Sequence, residues 1–126
     1  MTLDLDTAAV SGLFDLARRE WAEAGRPRPR LTTSFWFALG ERDSAREQLH
    51  THLRHYMNWL PPDLVDAMAP TTGFAGSEDE LAEVLRGFAE IGADEVHLIP
   101  TSSDLDQVER AARVVDGLAQ DPVPQN

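Results

Sequence analysis

Leu31-Thr32-Thr33-Ser34-Phe35-Trp36-Phe37-Ala38-Leu39 is rich in β-branched and aromatic residues, and its last five positions are apolar without alternation. A strand with one face in water alternates apolar and polar side chains. A strand apolar on both sides belongs inside a sheet that is covered above and below, the usual setting of parallel strands. Gly40-Glu41-Arg42 follows at once as a turn.

Helical patterns flank this strand. From Asp6 to Ala24, the residues Val10, Leu13, Phe14, Ala17, Trp21 and Ala24 recur at gaps of three and four, which places them on one helical stripe. Gly25 suits the C-terminal stop, and Arg26-Pro27-Arg28-Pro29-Arg30 breaks the pattern. Beyond the turn, Asp43 can cap a helix from about Ser44 to Trp59 with Ala45, Leu49, Leu53, Tyr56, Met57 and Leu60 inward. Pro61-Pro62 ends it; Asp63 to Met68 predicts a short helix and Ala69 to Ala75 a loop or very short strand.

Ser77-Glu78-Asp79-Glu80 is a capping box, in which a serine and a glutamate three residues on bond each other's backbone N–H. The helix it opens carries Leu81, Val84, Leu85, Phe88 and Ile91 and stops at Gly92. Glu95 to Pro100 predicts a short buried strand, and Ser103 or Asp104 can cap a last helix with the stripe Val108, Ala111, Ala112, Val115 and Leu118. Residues 1–120 thus form one α/β unit, with a flexible tail at 121–126. Strands alternating with helices over short turns imply parallel pairing through right-handed crossovers.

Composition narrows the chemistry. The 126 residues are 42% hydrophobic and 26% charged, enough for one globular core. No apolar run approaches the roughly 20 residues that span a bilayer, and the acidic start lacks a signal peptide's basic region, so a cytoplasmic location is expected. With no cysteine, disulfides and thiolate chemistry are excluded; with no lysine, so are Schiff bases and phosphate-loop lysines. A net charge of −11 disfavours nucleic acid. The one basic cluster, Arg26 to Arg30, reads as a solvated loop entering a strand or, more sharply, as a loop that contacts an anion.

Two stretches carry a resemblance. Gly76-Ser77-Glu78-Asp79-Glu80-Leu81-Ala82-Glu83-Val84-Leu85, continuing through Glu90-Ile91-Gly92-Ala93-Asp94-Glu95-Val96 to Pro100, is one; Leu31 to Trp59 with its entry Glu23-Ala24-Gly25-Arg26 is the other. Together they resemble the C-terminal part of luciferase-like flavin-dependent oxidoreductases, which use FMN or the deazaflavin F420. That resemblance implies the C-terminal portion of a (β/α)8 barrel, from its sixth strand to its last helix. A complete barrel takes about 250 residues, so the expected object is a half-barrel in truncated form. Its chemistry would be monooxygenase-type, or hydride transfer through F420. The alternative is a non-catalytic half-barrel that completes itself with a second copy or a partner chain; a third is an acidic α/β binding module unrelated to flavin.

In a barrel the functional residues sit at the C-terminal ends of strands: here Leu39-Gly40-Glu41, Gly73 to Ser77, and Ile99-Pro100-Thr101-Ser102. Gly76 and Ser77, at a helix N-terminus, are the candidate cofactor-phosphate contacts, although capping alone accounts for Ser77. No catalytic residue can be assigned. His50, His52 and His55 lie on one helix, but only His52 and His55 can converge and no carboxylate follows at the right pitch, so a solvated face is expected rather than a metal site. His97 reads as a hydrogen-bonded core histidine, and Trp21, Trp36 and Trp59 as packing anchors.

Overall fold

The computed structural model describes residues 4–120 and contains three strands and five helices. The elements are α1 (Thr7–Glu23), β1 (Thr32–Leu39), α2 (Arg42–Tyr56), α3 (Pro62–Thr72), β2 (Gly73–Gly76), α4 (Glu78–Glu90), β3 (Glu95–Pro100) and α5 (Leu105–Gln120). The expected tail, Asp121 to Asn126, lies outside the described residues.

All strand pairs are parallel, and β1 lies in the middle in the order β2-β1-β3. Alternate β1 residues point to opposite faces, as strand geometry requires. Phe35, Phe37 and Leu39 pack with Val10, Phe14, Leu81, Phe88 and Ala111 under α1, α4 and α5. Trp36 and Ala38 pack with Ala45, Leu49, Leu53, Val65 and Ala69 under α2 and α3. The doubly apolar sequence of β1 is thus matched by a helix layer on each side. From β1 to β2 the chain steps one way, and from β2 to β3 it steps back across β1. Two crossovers of one hand taken in opposite directions put their helices on opposite faces.

Consecutive strands of a barrel wall are neighbours, and their helices all lie outside. Here β1, not β2, is central, and helices cover both faces. The described residues form a small three-layer α/β unit.

Local chemistry sets most boundaries. The Asp6 side chain accepts from Ala8 and Ala9 N–H to cap α1, and Ser77 with Glu80 forms the complete capping box of α4. α1 and α4 end alike. Gly25 (φ 70°) and Gly92 (φ 88°) turn left-handed while the next residue's N–H reaches back to Trp21 O and Phe88 O. These are Schellman stops, which glycine adopts without a Cβ penalty.

Some details differ from the sequence reading. α2 starts at Arg42, with Glu41 rather than Asp43 at the cap position and no side-chain cap bond. α3 runs through Pro70 to Thr72 even though Pro70 has no N–H to offer Asp66 O, and the hydroxyls of Thr71 and Thr72 donate to Met68 O in that last turn. β3 is only half-buried, unlike the other edge strand β2, because α2 and α3 pack over β1 and β2 rather than over it.

Candidate functional site at the C-terminal edge of the sheet

Parallel pairing gathers the ends of all three strands, and with them Gly40, Gly76-Ser77 and Thr101-Ser102, along one edge. α2 leaves β1 on one face while α5 leaves β3 on the other. A crevice opens where neighbouring connections part in this way, and open α/β sheets place their ligands there.

Hydrogen bonds fix its base. The Gln107 amide brackets the end of β1, accepting from Leu39 N–H (2.8 Å) and donating to Leu39 O (2.9 Å). Thr101 Oγ1 donates to Phe37 O (2.8 Å) and accepts from Gln48 Nε2 (2.9 Å), which also approaches Gln107 Oε1 (3.3 Å). Gln107 and Thr101 are buried. Among the described residues no buried side-chain nitrogen or oxygen lacks a hydrogen-bond partner. Sequence reasoning passed over Gln48 and Gln107. The available signal was Gln107's place four residues before Ala111, on the buried stripe of α5.

Above this base an open cleft of about 580 Å³ is lined by Ser44, Glu47, Gln48, Thr51, His52, His55 and Thr101 to Ser103. One wall is the flank of α2; the other is the loop after β3. Burial, and then the neighbouring His55, lower the His52 pKa and favour its neutral form.

Gly76 and Ser77 lie at the same edge but are differently occupied. Glu80 Oε1 accepts from both the Ser77 N–H and its hydroxyl (3.2 Å each), and Arg42 holds the other oxygen at 3.2 Å. The Ser77 backbone bond, its hydroxyl and Arg42 lower the Glu80 pKa. A β-carbon on Gly76 would stand 3.0 Å from that carboxylate. Glu78 is paired with Arg110, which also reaches Leu39 O at 3.3 Å. A phosphate approaching Ser77 therefore meets a carboxylate in place.

The remaining candidates separate. His50 is not solvated: its side chain is largely buried and pairs with Asp66 (3.1 Å), to which Arg54 also binds. His97 is exposed beside Glu95 (3.4 Å) rather than in a core, because β3 has no helix on that side. Trp36 is buried, whereas Trp21 lies at the surface under Arg26 and Trp59 is 69% exposed, so only Trp36 is a packing anchor. Arg28 and Arg30 pair with Asp94 and Glu95; the anions this loop meets are the chain's own carboxylates. Among the described residues no three of His, Asp and Glu gather to hold a metal ion, and no helix is long and apolar enough to cross a membrane.

No protein-family model, curated protein or solved structure matches this chain.

Proposed function

We propose that the chain is the closing part of a luciferase-like flavin-dependent oxidoreductase, a half-barrel whose full active site is assembled with strands outside it. One observation supports this reading: the stretch from Gly76 to Pro100 forms one continuous unit from the end of β2 through α4 to β3, with the capping box at the strand end and the glycine stop before the next strand, and the stretch from Leu31 to Trp59 forms β1 and α2. In a barrel arc β2 would lie between β1 and β3. An unpaired edge on so apolar a strand as β1 demands a partner, and within this chain β3 is the strand free to fill it.

FMN or F420 would supply the redox chemistry, and the chain's part would be to hold the cofactor and exclude water. Gly76 and Ser77 fit its phosphate only with the Glu80 carboxylate turned aside, so Glu80 is expected to weaken binding. Fluorescence titration of monodisperse chain with FMN and, separately, with F420 tests this. Saturable binding that tightens in Glu80→Gln is expected; no binding of either up to millimolar cofactor would overturn the cofactor-holding role.

A second reading, a non-catalytic subunit that pairs with itself or with a partner chain, draws on the outer edges of β2 and β3, which no strand among the described residues pairs, and on the exposed Leu13 and Leu16 of α1 and Val108 and Val115 of α5. Light scattering across a concentration series separates it: a strictly monomeric chain excludes self-pairing.

A further inference from the structure

We infer that the cleft between α2 and the end of β3 binds a small organic cation with a flat aromatic ring. α2 and α3 cover β1 and β2, whereas on the same face of β3 only Ile99 packs against their layer. That face presents Glu95, His97 and Ile99, which pair with Thr32, Ser34 and Trp36 and so point the same way. Its flank is a series of rings in contact. His52 and Tyr56 stack at 6.2 Å and 13°, both touch the buried Trp36, and Trp59 follows Tyr56 at 6.5 Å. Tyr56 is 56% exposed and Trp59 more so. Single exposed aromatics are ordinary, but here Tyr56 stacks on His52, the ring in the cleft lining, and Trp59 extends the series outward.

Charge selects among flat ligands. Among the described residues Glu47 is the one carboxylate in the cleft lining, and no arginine lies there. Glu95, on the neighbouring strand face, already has Arg30 at 3.3 Å. An anion would meet no fixed cation in the lining and would enter the field of a chain with net charge −11. A cation gains from that field, from Glu47 and from the exposed rings of Tyr56 and Trp59, which continue from His52 at the border of the lining. The hydroxyls of Ser44, Thr51 and Ser102 and the Gln48 amide offer hydrogen bonds to ring substituents.

The probe is N-methylquinolinium, followed by quenching of tryptophan fluorescence in the full chain, with naphthalene-2-sulfonate as the anion of similar shape. Saturable quenching by the cation and none by the sulfonate is expected. Glu47→Gln and Tyr56→Ala, both at exposed positions, should each weaken it about tenfold, with circular dichroism confirming that each variant is folded. Trp21→Phe, on α1 and away from the cleft, should leave it unchanged. Non-saturating quenching, equal binding of the sulfonate, or unaltered affinity in the folded Glu47 and Tyr56 variants would overturn the assignment. The probe is not a flavin, so this result stands apart from the FMN and F420 titrations.

Discussion

β1 and β3 run side by side in the same direction, paired from Thr32 with Glu95 to Phe37 with Pro100, and each follows a helix stopped by a left-handed glycine. Their surroundings differ. Every β1 residue after Thr32 is buried, and no residue of β3 is. A shared hydrogen-bond ladder does not make two strands equivalent; the layers above and below do. Burial is concentrated in β1, while β3 stays half-open and the loop after it forms one wall of the cleft.

The largest expected effect tests that contrast. Phe35 is fully buried and stacks on Phe88 at 5.8 Å, so Phe35→Ala should cost about 3–5 kcal/mol in urea unfolding. Leu98→Ala, in the paired and half-buried position of β3, should cost about half as much or less. Equal costs would break the comparison.

Next in size is the network at the strand ends. Gln107→Ala leaves Leu39 N–H without its partner and Leu39 O with Arg110 alone at a buried site, and should cost about 2 kcal/mol. Thr101→Val keeps the shape and loses the bond to Phe37 O, so about 1 kcal/mol is expected from the same unfolding measurement.

The two glycine stops sharpen the comparison further. An alanine at Gly25 would meet open space and should cost about 1 kcal/mol, all of it from backbone conformation. At Gly92 the β-carbon would stand 2.5 Å from Arg18 Nη2, which donates to Ile91 O. Gly92→Ala should therefore be the more destabilising of the two, by a few tenths to about 1 kcal/mol in thermal unfolding.

The smallest effect is acid-dependent. Asp94 ties the entrance of β1 to that of β3: its carboxylate accepts from Leu31 N–H (2.7 Å), and its own N–H donates to Leu31 O. That backbone bond, then Arg28 and Arg30, hold its pKa below the ordinary carboxylate value. A lowered folded-state pKa contributes stability that is present above the unfolded value and lost as pH falls through the folded one. Unfolding curves of the wild type and Asp94→Asn should differ at neutral pH and converge in acid; parallel curves would remove Asp94 from the account of acid unfolding.

Much of this was legible locally. The unbroken apolar run of Phe35 to Leu39, the Ser77–Glu80 capping box and the glycines at 25 and 92 each fix their own neighbourhood, and the structure places them accordingly. The strand order was not legible, because alternating strands and helices read alike in a barrel wall and in a sheet that steps back across its first strand. Nor was the exposure of His97: Glu95 to Pro100 carries Val96, Leu98 and Ile99, and only the placement of α2 and α3 over β1 and β2 leaves His97 uncovered. For the site, the strand-end segments were visible in the sequence. The Gln107 bracket and the ring series from Trp36 to Trp59 depend on contacts between separate elements, which no local pattern encodes.

Residue-resolved amide hydrogen exchange tests most directly whether β1 is the doubly covered centre and β3 a free edge. Uniformly slow exchange from Phe35 to Leu39, with protected and rapidly exchanging amides alternating along Glu95 to Ile99, is the expected result. Slow exchange at every amide of β3, matching β1, would contradict it and would mean that another strand lies against that edge.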